Sequence, residues 1–365
     1  MAKILIITPE SSTSKSGGGI IINRNIDLFK KAIGESYVYY IGRVRKRNLS
    51  INMLCDRLRG VNREGTFVTI QNILLTIQEM NPELIFINSA CCGLLTKIIE
   101  KKCNIPTLIF FHNIEFIFAY SEWKTRKLSF KSFLHTIITY CSEKKSVRYG
   151  SKLIMLNDRD RIACKKIYGR EGDFLLPTSF TDQGSIKYVL TPKTYPLHLL
   201  FVGSNFFANN HGIKWFCKNV MPYLADVQLY IVGNRMEMER HNLESANVKV
   251  IGTVGELREW YEWSDLVISP IFIGSGMKTK TAEAMMFGVP ILGTSEAFEG
   301  YEIDVSQIGG CCNIASEFVE KITNYTIKRE DLLQKAIYSR KIFEEKYSSK
   351  ILEMKLKLFI NEEFL

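Results

Sequence analysis

Residues 274–290 read GSGMKTKTAEAMMFGVP. The stretch follows DLVISPIF, an apolar run of strand length, so its glycines sit at the carboxyl end of a strand. Gly274 and Gly276 let the backbone turn tightly and approach a ligand. The residues after them are helix formers that begin near Met277 and stop at Gly288, with Pro290 opening the next strand. The start of such a helix points free N–H groups and the positive end of its dipole at the glycine loop. Lys278 and Lys280 add formal charge there, and the combination suits a diphosphate. Glu283 lies five residues past Lys278, about 7–8 Å along the axis at 1.5 Å per residue. A carboxylate at that distance can accept hydrogen bonds from the vicinal hydroxyls of an attached ribose. The plainer alternative is a surface helix on which Lys280 and Glu283 form an i,i+3 pair.

Working outward, the same alternation recurs. LHLLFVGS, QLYIVGN, VKVIGTV, DLVISP and VPILGTS are apolar runs, each followed by a loop or a helical pattern. Upstream, KILIIT, ELIFIN, TLIFF and KLIML alternate with helical patterns at 20–31, 94–102 and 130–149. Continuous apolar strands in βαβ rhythm imply parallel sheets covered on both faces. Between them, residues 176–199 carry Pro177, Pro192 and Pro196 among turn formers and read as a linker. The expectation is an α/β chain of two doubly wound, Rossmann-like domains, 1–185 and 186–345, facing a central cleft. A terminal helix at 346–365 would pack back toward the first. Ligands of such sheets bind at the carboxyl ends of strands, so motifs there are site candidates.

Bulk composition agrees. With 365 residues, 46% hydrophobic and 24% charged, the chain exceeds what one core usually serves. It shows neither a membrane-spanning run nor a signal-peptide layout, which places it in the cytoplasm. The nine cysteines include no CxxC pair and read as reduced core residues, neither staples nor a zinc site. A net charge of +10 calls for an anionic partner: nucleic acid, an acidic membrane surface or a phosphorylated small molecule.

The string VGS (202–204), Asn210, VG (232–233), IGTVGE (251–256), ISP (268–270) and GSGMKTKTAEAMMFGVPILGTSEAFEG (274–300) resembles the donor-binding half of GT-B glycosyltransferases of the retaining family 4, or group 1, type. Over residues 1–185 the resemblance is mainly architectural. It implies a hexosyltransferase-class enzyme with a nucleotide-sugar donor, a saccharide, lipid-linked or other glycoconjugate acceptor, retention at the anomeric carbon, no cofactor and no metal. It also suggests a place in polysaccharide assembly. Carried over, Glu283 would hold the ribose. Lys278, with Gly274, Ser275, Gly276, Met277 and Thr279, would meet the diphosphate. Gly252, Thr253 and Val254 would border the base, and Ser204 and Asn205 would approach the phosphates. The sequence departs from the pattern where Ser275 stands eight residues before Glu283 in place of a Glu, and where Ser204, Asn205 and Asn210 replace an Arg and a Lys. Lys278 and Lys280 would then supply the missing charge.

In the first half, Gly17, Gly18 and Gly19 between a strand and a helix lack the GxGxxG spacing and read either as an ordinary βα loop or as a second phosphate-side loop holding Gly18 and Gly19 near the donor. His112 follows TLIFF at a strand end, with Glu115 just beyond. A lone His is usually structural, but the resemblance places one near the transferred sugar, so His112 and Glu115 join Lys278 as candidate catalytic residues. The segment WKTRKLSFKSFLHTIITYCSEKKSVRYG (123–150) carries seven Lys or Arg, with Phe130, Phe133, Leu134, Ile137, Ile138 and Cys141 at helical spacing. It reads as a crossover helix with a solvated face or as a basic surface for anionic lipid, which would make the protein peripheral on the inner face of the membrane. The segment lacks the features of a nucleic-acid module. Two rival functions remain: a sugar-nucleotide epimerase, and a non-catalytic scaffold binding nucleotide or membrane.

Overall fold

The computed structural model describes residues 3–9, 17–33, 36–42, 56–57, 59–125, 129–184, 189–274 and 276–364. The chain forms two compact α/β units, one of residues 1–177 with 352–365 and the other of residues 178–351. Each is built on a six-stranded sheet. Part of the proline-bearing segment, 185–188, lies outside the described residues, as do 10–16 ahead of the Gly17 helix.

The first sheet contains β1 (Ile4–Pro9), β2 (Ser36–Ile41), β3 (Leu84–Ile87), β4 (Thr107–Phe111), β5 (Lys152–Met155) and β6 (Phe174–Leu175). All pairings are parallel, in the order β2-β1-β3-β4-β5-β6. Alternate residues Leu5, Ile7, Ile85, Ile87, Ile109 and Phe111 pack one face against Ile70, Ile73, Leu95 and Ile99 of the covering helices. Phe29 and Phe86 stack on the other face, so both are dry, as parallel sheets require. Within this unit the C-terminal helix, Ser349–Phe364, places Phe359 on Phe174 with ring centroids 4.5 Å apart.

The second sheet contains β7 (Leu197–Val202), β8 (Val227–Val232), β9 (Val248–Gly252), β10 (Leu266–Ser269), β11 (Ile291–Gly293) and β12 (Gly309–Cys311). Its order, β12-β11-β10-β7-β8-β9, is that of a doubly wound dinucleotide fold: the chain starts at β7, winds to one edge, returns to β10 and winds to the other. The winding reverses between β7 and β10, which opens a crevice beyond their carboxyl ends. The helix Phe207–Asn219 seats directly against that end, because Gly212 has no side chain. A Cβ there would overlap the Pro270 carbonyl.

The helix Phe130–Tyr149 lies in the crossover connection between the parallel strands β4 and β5, but most of its apolar stripe does not face the core. Phe130, Phe133, Leu134, Ile137 and Cys141 face outward, while Thr136, Thr139, Ser142, Glu143 and Ser146 are buried. The reason is hydrogen bonding: Ser142 and Ser146 hydroxyls donate to the carbonyls of Cys91 (2.8 Å) and Ala90 (2.6 Å), and Gly93 N–H donates to Ser142 Oγ (3.1 Å). The irregular turn after β3 needs those partners, and its buried backbone groups outweigh the transfer preference of the stripe.

The packing makes one position decisive for the second unit. Gly212→Ala should cost about 1–3 kcal/mol, read as a lower urea midpoint at unchanged m-value. An unchanged midpoint would contradict the close approach.

Candidate functional site

Four loops crowd the carboxyl edge of the second sheet. After β10 the chain runs through Gly274 and Gly276 to the helix Thr279–Phe287, which starts two residues later than the sequence suggests. Gly276 has φ +65°, a left-handed conformation natural to glycine. Ser275 lies outside the described residues. Almost every residue of this helix is buried, and Gly288 ends it with φ +72°. It is therefore no surface helix.

Among the described residues no side chain caps its N-terminus, and no acidic residue occupies its first turn. Cations stand there instead. Lys278 Nζ donates to Gly276 O and to Glu296 Oε1, each at 2.7 Å. Lys280 is 9% exposed, donates to Asn209 Oδ1 at 2.9 Å and lies 4.4 Å from the centre of the Phe201 ring. Burial, aided by the neighbouring charge of Lys278, pulls its ammonium down to about 7. Met277 is buried, with its sulfur accepting from Thr178 N–H at 3.5 Å.

One turn into the helix, Glu283 accepts a 2.9 Å hydrogen bond from Tyr261, whose ring is fully buried and stacked on Phe287 at 4.7 Å. Glu283 keeps some accessible surface although protein crowds it on nearly every side. Burial pushes its carboxyl up to about 7, against the opposing effects of Tyr261 and Lys280. An exposed i,i+3 pair would show neither shift.

A chain of hydrogen bonds joins this helix to the other loops. Asn209, which holds Lys280, also donates from Nδ2 to Ser204 O at 2.9 Å. Asn205 Nδ2 donates to Arg235 O at 3.1 Å, and Arg235 N–H donates to Thr253 Oγ1 at 2.9 Å. Gly252 turns with φ +87° against Glu237, which accepts from Thr253 N–H at 3.1 Å. Half-buried Val254 follows. Ser204, Asn205, Gly252, Thr253 and the Lys278–Glu283 stretch thus share the end of the sheet where its winding reverses.

The remaining candidates belong to the other unit. Gly18 and Gly19 open the helix Gly17–Ile33 rather than a loop. His112 Nε2 lies 3.1 Å from Asn88 O at the end of β3, and the imidazole meets Phe110 edge-on at 4.8 Å. A carbonyl partner requires the proton on Nε2, leaving Nδ1 as an acceptor. Burial lowers the ring to about 3, so it is neutral. Glu115 pairs with Arg63 at 3.1 Å and opens the helix Glu115–Thr125. The first amides of that helix, from Glu115 and Phe116, donate to Glu143, each at 2.9 Å.

Sequence reasoning passed over Tyr261, Asn209, Glu296 and Glu143, which hold the candidates in place. Only Tyr261 left a usable trace, as the aromatic position four residues before Asp265. The others meet their partners through the fold. Among the described residues no group of three or more His, Cys, Asp or Glu could hold a metal ion, and no helix is long and apolar enough to cross a membrane.

The chain resembles known proteins in sequence and in fold. Residues 196–325 match the family model described as Glycosyl transferases group 1. An "Uncharacterized 44.6 kDa protein in cps region" of Klebsiella pneumoniae is 23% identical over 258 residues, which cover 66% of this chain and 64% of that protein, so the match spans just under two thirds of the relative. Sucrose-phosphate synthase of Thermosynechococcus elongatus superposes with TM-score 0.72 at 14% identity, covering 99% of both chains. Anabaena Alr3699/HepE in complex with UDP superposes with TM-score 0.70 at 14% identity, covering 99% of this chain and 100% of that one.

The buried carboxyl generates a pH test. A carboxyl raised from 4.5 to about 7 disfavours the folded state once ionised, so stability falls as pH rises between those values. Glu283→Gln should therefore stabilise the ligand-free protein by about 1–3 kcal/mol at pH near 8 and hardly at all near 4. Urea titrations at both pH values decide it, and equal effects at both would show that the carboxylate is well solvated. The chain thus has a two-domain α/β fold of the GT-B type, and its residues 196–325 match the family model described as Glycosyl transferases group 1.

Proposed function

We propose that the protein transfers a sugar from a nucleoside-diphosphate sugar to a saccharide, lipid-linked or other glycoconjugate acceptor, with retention at the anomeric carbon and without a metal. The observation that carries the reading is the Lys280–Asn209–Ser204 link, which binds an uncapped helix start and two lysines to the switch point of the sheet. Residues bearing a diphosphate need this arrangement; a structural helix does not.

A nucleotide-sugar brings its own leaving group, so the protein has no need of the carboxylic acid and opposed carboxylate that glycosidases use. Its main task is to stabilise charge developing on the departing diphosphate, for which fixed N–H groups and lysines are suited. In this scheme Lys278 exchanges Glu296 for a phosphate oxygen, and Lys280 stays charged when an anion arrives beside it. Glu283, preoriented by Tyr261, accepts from the ribose hydroxyls, while Gly252, Thr253 and Val254 border the base. A departing phosphate oxygen on the face that the acceptor approaches can take the acceptor's proton. His112, neutral and fixed by Asn88, offers Nδ1 to a sugar hydroxyl as a positioning group. Support for the donor class comes from the Anabaena protein solved with UDP. Support for polysaccharide assembly comes from the Klebsiella relative in a cps region.

Calorimetry with UDP-, GDP- and dTDP-sugars should find one tight donor. Glu283→Ala should weaken it by at least about tenfold, since a charge-assisted hydrogen bond contributes about 1.5–3 kcal/mol. Lys278→Ala should mainly lower kcat with acceptor present. Unchanged donor affinity in the Glu283 variant would refute the assignment.

A further inference from the structure

The carboxyl edge of the second sheet carries an open groove of about 520 Å³ that the proposed donor site does not use. One wall is the helix Phe207–Asn219, on which His211, Trp215 and Asn219 follow one another at intervals of four and so share a face. Across from them stand Phe272, which follows β10, and Asn313 and Ile314, which follow β12 and lead into the helix Ala315–Ile327. Trp215 is rooted in the core against Phe318, with ring centroids 6.0 Å apart. It meets Phe272 at 4.6 Å with the rings at 72°, and Phe272 in turn meets His211 at 6.2 Å and 84°. The rings therefore present faces in more than one direction.

Among the described residues no Lys, Arg, Asp or Glu lines this groove, in a chain of net charge +10. Its polar groups are two carboxamides and an imidazole. Asn219 donates from Nδ2 to Trp215 O at 2.8 Å, which leaves its oxygen as an acceptor. Asn313 accepts on its oxygen from the N–H and the hydroxyl of Ser295, each at 3.0 Å, which leaves its amino group as a donor with only a long contact to Cys311 Sγ at 3.9 Å.

From this we infer that the groove binds a neutral saccharide. A pyranose has faces of polarised C–H bonds, which suit the electron-rich faces of Trp215 and Phe272. Its rim of hydroxyls needs both donors and acceptors, which Asn313, Asn219 and His211 supply. A phosphorylated ligand would need a cation that the lining lacks. A protein partner would need far more surface, since a stable interface takes about 20–30 residues a side and seven line the groove. An acyl chain would bury the three polar side chains against hydrocarbon. The volume falls within the range of small-molecule sites, about 300–1,000 Å³. The groove also adjoins the glycine loop: Phe272 stands two residues before Gly274, and Asn313 holds Ser295, the neighbour of the Glu296 that pairs with Lys278. A saccharide seated here is kept at the same edge of the sheet as the proposed donor. Its binding does not depend on the transfer reaction and is read without donor, so the two readings fail separately.

The test is saturation-transfer NMR of the full chain, without donor, against maltose, cellobiose, lactose and diacetylchitobiose. At least one should bind with a dissociation constant of about 1 mM, and an excess of UDP, GDP or dTDP should not displace it. Trp215→Leu, which keeps apolar bulk against the core but removes the aromatic face, should weaken binding about fivefold or more. His211→Ala with Asn219→Ala should do the same through lost hydrogen bonds. Thermal melting checks that each variant folds, and the polar pair keeps the test decisive where the tryptophan variant does not. Absence of binding by all four saccharides, displacement by a nucleoside diphosphate, or wild-type affinity in a folded variant would overturn the proposal. So would a concentration-dependent dimer dispersed by Trp215→Leu without any saccharide binding.

Discussion

Two ammonium groups crowded at the positive end of one helix are the constraint around which the second unit is arranged. Lys278 and Lys280 repel each other, and the dipole of the helix Thr279–Phe287 opposes both. The fold offsets this with Glu296 and Gly276 O around Lys278, and with Asn209 and the Phe201 ring around Lys280. The compensation is incomplete, since burial and Lys278 still pull Lys280 down to about 7. An arriving anion would relieve that tension. Concentrated positive potential, backbone amides and a preoriented carboxylate are thus held together at a cost, as expected where function takes precedence over stability.

The first unit shows that the chain can finish a helix start when nothing else is required of it. Glu64 accepts from the amides of Leu94 and Leu95 at 3.0 and 3.3 Å, and Glu143 accepts from those of Glu115 and Phe116. Both carboxylates are fully buried and both are raised by that burial, Glu143 to about 7. Each therefore spends desolvation to satisfy a pair of amides. At Thr279 the sequence offers lysines where those helices have glutamates. The contrast, within one molecule, separates helix starts finished by carboxylates from one that carries lysines instead.

Much of this was legible in the sequence. The strands β1, β3, β4, β5, β10 and β11 are largely apolar runs, β7 to β9 are apolar but for His198, Gln228 and Lys249, and the glycine loop with Lys278 and Glu283 announced itself through residue type and spacing. β2, SYVYYI, is half exposed, and β6 and β12 have two and three residues, too short for periodicity to register. The inverted helix misled because hydrophobic pattern alone cannot tell which face a turn elsewhere in the chain will claim with hydrogen bonds. Asn209 and Glu296 were hidden for the same reason: each lies far from its lysine in sequence, 71 and 18 residues away, and becomes a partner only when the sheet forms.

The central claim is most directly tested by a crystal structure with the tightest-binding nucleoside diphosphate. The account predicts phosphate oxygens within about 3 Å of the amide nitrogens at Thr279 and Lys280, Lys278 turned from Glu296 toward them, and the ribose hydroxyls on Glu283. A diphosphate ordered elsewhere, with Lys278 still on Glu296 and Glu283 touching only Tyr261, would contradict it.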